Sequence, residues 1–153
     1  MMTIRPAKLR DMSECAEIVN AWIDATKWMP RVHPREDVAV FYRETVFAKF
    51  QVFVAENDGH VAGMVALAPE NTVSALYVHH DQRRKGIGKA LLDRAKKEAA
   101  GPVELWTFVA NQGAQLFYQR EGFQEVRRTG GDNEENLPDI LYRWQPNDAG
   151  TTS

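Results

Sequence analysis

The segment from Leu76 to Leu92 constrains this chain more than any other. An apolar run, Leu76-Tyr77-Val78, gives way to His79-His80-Asp81-Gln82 and then to the basic cluster Arg83-Arg84-Lys85. The chain then passes through Gly86-Ile87-Gly88-Lys89 into the apolar-periodic stretch that contains Leu91 and Leu92. The pattern reads as a strand, a basic loop and an amphipathic helix. The first turn of a helix leaves its backbone N–H groups without partners, and the macrodipole adds partial positive charge there. Glycines at 86 and 88 let a ligand approach those N–H groups, while Arg83, Arg84 and Lys85 surround them with full charges. Such a socket suits a multiply charged anion such as a pyrophosphate. A phosphate-bearing cofactor is expected here.

Spacing narrows the choice of cofactor. A nucleoside-triphosphate P-loop needs a glycine five residues before its Gly-Lys-Ser/Thr, but Arg83 stands there and Ala90 follows Lys89. A dinucleotide fingerprint needs a third glycine where this chain has Leu91, and it usually opens its chain rather than lying mid-sequence. What remains is Arg-x-x-Gly-x-Gly at a strand-to-helix joint. This resembles the pyrophosphate-binding motif of the GCN5-related N-acetyltransferases (GNAT), which bind acetyl-coenzyme A. A second segment, Asn111-Gln112-Gly113-Ala114-Gln115-Leu116-Phe117-Tyr118-Gln119-Arg120-Glu121-Gly122-Phe123, resembles the second signature of that family. Asn111 opens a short helix, Gly122 supplies a left-handed stop, and the strand Val103–Val109 precedes it. Two separated motifs in this order, each after a strand, identify the chain as a member of the family.

Composition is consistent with that reading. The 153 residues suit one domain, expected over 1–146 and followed by a polar, disordered tail over 147–153. Lys+Arg 19 against Asp+Glu 21 gives a net charge of -2, so no global field draws in nucleic acid. The single cysteine, Cys15, excludes an internal disulfide and falls on the apolar face of an expected helix. No signal peptide or membrane-length apolar run is visible, and a cytoplasmic location is expected.

Along the chain, Thr3–Pro6 reads as a strand and Asp11 as the N-cap of a helix. Pro34 fits the first position of a second helix carrying Val38, Phe41, Tyr42 and Val46 at helical spacing. Strands over Val52–Ala55 and Val61–Leu67 flank the hairpin signal Asn57-Asp58-Gly59. Strand Thr72–Val78, a helix to about Ala99, strand Val103–Val109, the Asn111 helix and a strand from Phe123 follow. After a polar loop from Thr129 to Pro138, Asp139–Trp144 alternates as a final strand. The order is β-α-α-β-β-β-α-β-α-β-β. By resemblance it implies an α/β fold of the N-acyltransferase type, a mixed, mostly antiparallel sheet flanked by helices.

The resemblance also implies a site. In this family the fourth and fifth strands run parallel and splay apart, and the pantetheine arm lies in the gap as a pseudo-strand. The backbone of Leu76, Tyr77 and Val78 would hold its amides, and the N–H groups from Arg84 through Lys85, Gly86, Ile87 and Gly88 to Lys89 the pyrophosphate. Asn111 would bind the arm from the opposite strand, with Ala114, Phe117 and Tyr118 completing the cofactor site. Acetyl-CoA would be the co-substrate, and no metal is expected. An amine attacking the thioester requires an oxyanion donor and a proton for the departing sulfur. A backbone N–H near Val78, at a bulge expected there, would serve as the donor. Tyr118 would protonate the thiolate, since a phenol with a pKa of about 10 stays protonated at neutral pH.

No single base is legible. Thr72 stands where many relatives keep a glutamate, and Glu70, Glu104, His79 and His80 are each as well explained as loop or strand residues. In the family the acceptor is framed by the loop between the first two helices, here with Trp28, Met29, Arg31 and His33, and by the loop between the last two strands, with Asp132, Glu134, Glu135 and Asp139. Trp28, His33, Glu135 and Asp139 are expected substrate contacts. An aromatic wall facing carboxylates suits a small cationic primary amine. A peptide or protein amine, at an N-terminus or a lysine, stays open, as do a sensor that binds without turnover and a homodimer.

Overall fold

The computed structural model describes residues 2–83 and 85–146. The tail read at 147–153 lies outside them, and so does Arg84. Strands β1 (Met2–Pro6), β2 (Gln51–Asn57), β3 (His60–Ala68), β4 (Thr72–Val78), β5 (Val103–Phe108), β6 (Gln124–Thr129) and β7 (Asp139–Trp144) form one sheet in the order β1-β2-β3-β4-β5-β7-β6. Every neighbouring pair is antiparallel except β4–β5. Between them lie α1 (Met12–Ala25), α2 (Arg35–Phe41), a π-helical turn (Tyr42–Val46), α3 (Phe47–Lys49), α4 (Ile87–Glu98) and α5 (Gln112–Arg120). The mixed, mostly antiparallel sheet flanked by helices is the fold the sequence implied. No helix among the described residues is long and apolar enough to cross a membrane.

Strand alternation sorts the core into two layers. Phe53 and Ala55 of β2 face the α4 side with Ile87, Leu91, Leu92 and Ala95, whose spacing makes one helical stripe. Val52 and Val54 face the opposite side, against Met12, Cys15, Ala16 and Val19 of α1 and Tyr42 and Val46 of the π turn. Cys15 is buried, and burial pushes its thiol up to about 12, as suits a packing residue rather than a nucleophile. The β2–β3 turn uses Asp58 (φ 54) and Gly59 (φ 80), the left-handed pair that a tight hairpin requires.

Four local readings are corrected. Asp11 does not cap α1 with its side chain. It ends a 3-10 turn, Leu9–Asp11, where its carboxylate accepts the Lys8 N–H (2.7 Å) and two hydrogen bonds from Arg5 (2.8 and 3.1 Å). The buried carboxylate takes the cation because the guanidinium satisfies two oxygens at once. Pro34 stands just outside α2, at φ −58 and ψ 156, with Arg35 as the first helical residue. The second helix is broken by the π turn, an insertion that hydrophobic spacing alone does not reveal.

The fourth correction shapes the site. The bulge expected near Val78 lies instead at Ser74: Ala66 and Leu67 of β3 pair with Ala75 and Val73, leaving Ser74 as the extra residue. Val78 stays in register opposite Gly63. The β4–β5 pairing consists of Thr72↔Glu104 and Val73↔Leu105 and ends there. A bulge bends its strand and increases its twist, so β4 turns away from β5 at the first residue past the pairing.

Candidate active site

The gap opened by that bend is a cavity of about 750 Å³, lined by β4 from Val73 to Val78, by β5 from Leu105 to Phe108, by the start of α4 and by α5. Alternation decides which backbone groups face it. The His79 N–H donates to Ala62 O of β3 at 2.8 Å, and the Tyr77 carbonyl also points at β3, only 3.0 Å from where a Cβ on Gly63 would stand. Residues 77 and 79 therefore spend their backbone on β3, and Leu76 and Val78 present N–H and C=O to the gap. Tyr77 contributes its ring to the wall instead of its amide.

At one end the cavity meets the N-terminus of α4. Gly86 is the residue before the helix at φ +78, a conformation that L side chains rarely adopt, and Arg83, Gly86, Gly88 and Lys89 line the wall. Ile87 also reaches the wall, but its side chain is buried in the core and holds the helix in place. Gly63 sets the height of α4 over the sheet, because a Cβ there would lie 3.1 Å from Leu91 and 3.3 Å from Ile87. Lys89 is tied to Glu121 (3.0 Å) and Asp93 (3.3 Å), which hold its ammonium above the usual lysine range. Lys85 stands off the wall beside Gln82. Arg120, which the motif reading passed over, lines the cavity with its guanidinium 5.8 Å from the Phe117 ring centroid.

Helix α5 supplies the opposite wall. Asn111 caps it, its Oδ1 accepting the Ala114 N–H at 3.0 Å; the residue lines the cavity, and its Nδ2 has no hydrogen-bond partner among the described residues. The helix ends in a Schellman motif, with Phe123 N–H to Tyr118 O at 2.9 Å and Gly122 N–H to Gln119 O at 3.1 Å. Gly122 is required twice, by its φ of +94 and by Trp144, whose Cδ1 lies 3.3 Å from where a Cβ would stand. This frame orients Tyr118 between Phe117, Phe123 and Tyr142. The Tyr118 hydroxyl has no hydrogen-bond partner among the described residues and no buried polar atom is left unsatisfied, so it opens into the cavity. Burial pushes it well above the usual phenol range, with Tyr77 adding to the same direction.

The far end is aromatic. Trp22 meets Tyr77 at 5.4 Å and Trp28 at 5.8 Å, and Trp28 meets Phe108 at 5.8 Å, all edge to face. Trp22, Tyr77 and Phe108 line the cavity, and Trp28, the ring expected from the sequence, packs behind them against Trp22 and Phe108 without lining it. A smaller recess of about 410 Å³ continues past Phe108 and is lined by Trp106, Thr107, Thr129, Asp132, Asn133, Glu135 and Asp139. The other expected contacts are turned to different work. His33 is exposed and pairs with Glu134 at 2.8 Å, joining the two framing loops. Arg31 binds Asn20, Asp24 and the His33 carbonyl. Asp139 is buried and accepts from Thr129 Oγ1 and Asn133 Nδ2, which fixes the β6–β7 loop.

None of the candidate bases lines the cavity. Glu70 sits in a left-handed turn, Glu104 accepts from Arg143, and His79 and His80 are bound up with Asp81.

The Acetyltransferase (GNAT) domain model matches residues 48–125, from the end of α3 into β6. The chain belongs to the GNAT acetyltransferase family. Peptidyl-lysine N-acetyltransferase YiaC of Escherichia coli (strain K12) is 30% identical over 135 residues, 86% of this chain and 91% of that protein. L-amino acid N-acyltransferase MnaT of the same strain is 30% identical over 108 residues, 64% of this chain and 63% of its own length. Among solved structures, yncA of Salmonella typhimurium with its cofactor acetyl-CoA superposes at a TM-score of 0.74 and 22% identity, covering 96% of this chain and 95% of that one. Acetyl-CoA is the co-substrate of this family. The residues present fit it: unpaired backbone groups of β4 meet an amide-bearing arm, a helix N-terminus with Arg83 and Arg120 meets a diphosphate, and the volume lies in the range of ligand sites, roughly 300–1,000 Å³.

Proposed function

We propose that this enzyme moves the acetyl group of acetyl-CoA to a primary amine by direct attack, without a covalent enzyme intermediate. The observation that carries the reading is the Tyr118 hydroxyl, without a partner among the described residues and lining the gap that Leu76 and Val78 face with their N–H groups. The thioester supplies an activated acyl group. The chain holds its arm along β4 and its diphosphate at the start of α4, and Asn111 Nδ2 reaches it from the α5 side. A gap-facing N–H of Leu76 or Val78 donates to the carbonyl oxygen as charge develops on it. Tyr118 gives its proton to the departing sulfur. Its raised pKa does not forbid this, because the burial that disfavours the phenolate disfavours the free thiolate as well.

The acceptor enters from the aromatic end. Trp22, Trp28, Tyr77 and Phe108 form a wall that takes an alkylammonium through apolar contact along its stem and cation–π attraction at its head. A small cationic amine fits that description. The lysine side chain of a peptide fits it equally, and the likeness to a peptidyl-lysine N-acetyltransferase over most of the chain favours it as the second reading.

The test is mass-spectrometric detection of acetyl transfer across polyamines, amino acids and short lysine peptides, with Tyr118→Phe alongside. Transfer to one class, much slowed in the variant, supports the reading. Binding of acetyl-CoA with every acceptor left unmodified would replace it with a sensor.

A further inference from the structure

The reaction removes two protons from the acceptor nitrogen, and the residues described so far account for only one of them. The second can be placed by asking what each carboxylate around the acceptor end is doing. Glu134 is paired with His33, and both oxygens of Asp139 are taken by Thr129 and Asn133. Asp132 is exposed at the rim. Glu135 differs from all three. It is half-buried, has no hydrogen bond or ion pair among the described residues, and lines the recess that continues from the aromatic wall past Trp106, Thr107 and Phe108. The same three residues line the main cavity, so the recess adjoins the acceptor end along β5.

We propose that Glu135 seats the ammonium of the acceptor and takes the first proton it loses. This rests on the acetyl-transfer reading and deepens it, since it supplies the base that β4 lacks. The step balances as follows. The ammonium N–H bond breaks and its proton passes to the Glu135 carboxylate, which later returns it to solvent. The neutral nitrogen forms the C–N bond as the C–S bond breaks. The second nitrogen proton replaces the one that Tyr118 has given to sulfur. The net products are the amide, the thiol and one proton.

The surroundings of Glu135 suit this role. On β4, burial together with the charge of Glu135 pushes the Tyr77 phenol up to about 12, so Tyr77 stays neutral. From β6, Arg127 lies over Trp106 at 5.1 Å from the ring centroid. Nearby are Asp132 and Glu134 of the loop, the latter paired with His33 of the loop after α1, and Asp139 at the start of β7. An unpaired carboxylate beside aromatic rings attracts a cation more strongly than one in open water, because the local dielectric is lower. The site should therefore select charged aliphatic amines over alcohols of the same shape.

The experiment uses the full chain with acetyl-CoA, n-butylamine and an Nα-blocked lysine amide, comparing wild type with Glu135→Gln, Glu135→Asp and Glu134→Gln. Expected for Glu135→Gln are a fall in kcat/KM of about 10²-fold and a profile that climbs steeply with pH as the free amine is populated. Acetyl-CoA affinity by calorimetry should be unchanged, Glu135→Asp should recover part of the rate, and Glu134→Gln should match wild type. If wild type acetylates either amine and Glu135→Gln keeps both its rate and its pH profile, the role of Glu135 is overturned while the acetyl-transfer reading stands. If wild type binds acetyl-CoA and modifies neither amine, both are overturned.

Discussion

At the α4 end of the cavity, the groups proposed to meet the diphosphate come largely from one stretch of chain, Arg83 to Lys89. At the other end, Trp22, Trp28, Tyr77, Phe108 and Glu135 arrive from five separate segments: α1, the loop after it, β4, β5 and the β6–β7 loop. The first end works through backbone N–H groups and a glycine at φ +78, so its requirements are short-range and tolerate few residue types. The second works through side-chain faces brought together by packing, and many sequences can build such a wall. Binding the co-substrate is therefore a local property of this chain, and choosing the acceptor is a tertiary one.

The comparison can be tested from its midpoint outward. Tyr118→Phe removes the proposed proton donor between the two ends and should lower kcat by about 10²- to 10⁴-fold, with acetyl-CoA affinity by calorimetry unchanged. A parallel loss of affinity would make Tyr118 a packing residue. Gly86→Val acts at the cofactor end alone. Left-handed backbone costs a branched residue about 1–2 kcal/mol, so acetyl-CoA should bind roughly 5- to 30-fold more weakly while the KM of the amine stays put.

Trp28→Ala acts at the acceptor end alone. Loss of a cation–π and packing partner worth about 0.5–2 kcal/mol should raise the amine KM roughly 2- to 30-fold, with acetyl-CoA binding unaltered. If either variant moved both constants, the two ends would not be separable.

Helix α1 carries Trp22, and its approach is fixed by Asp11. Arg5 first, and then the Lys8 N–H, hold the Asp11 carboxyl below the usual carboxylate range. Its folded value lies below its unfolded one, so the stabilisation is complete above the unfolded value and is lost as pH falls through the folded one. Asp11→Asn should cost about 1–3 kcal/mol near neutral pH, and the gap from wild type in denaturant titrations should close below about pH 4. A gap that held at low pH would mean the loss was one of shape rather than charge. His33→Ala should do least. The pair with Glu134 is exposed on both sides, and such pairs contribute no more than about 1 kcal/mol.

The legibility of this chain follows the same division. The strand–loop–helix joint at 76–92 and the Asn111–Phe123 helix were readable because glycines, caps and strand alternation leave signatures within a few residues. The bulge was misplaced because a one-residue insertion in β4 shows only against the register of β3, where Gly63 meets Val78. Asp11 read as a helix cap because its real partner, Arg5, lies on β1 and reaches it only after folding. His33 and Asp139 read as substrate contacts because sequence shows which charges a loop carries but not which are already paired.

The sequence by itself determined the family, the order of elements and the anion-binding joint, since those depend on backbone conformations that few residues permit. Only the tertiary structure decided which half-buried carboxylate of the recess is left without a partner among the described residues, and which aromatic rings share a wall. Both depend on distances between segments far apart in the chain, and no local pattern encodes those.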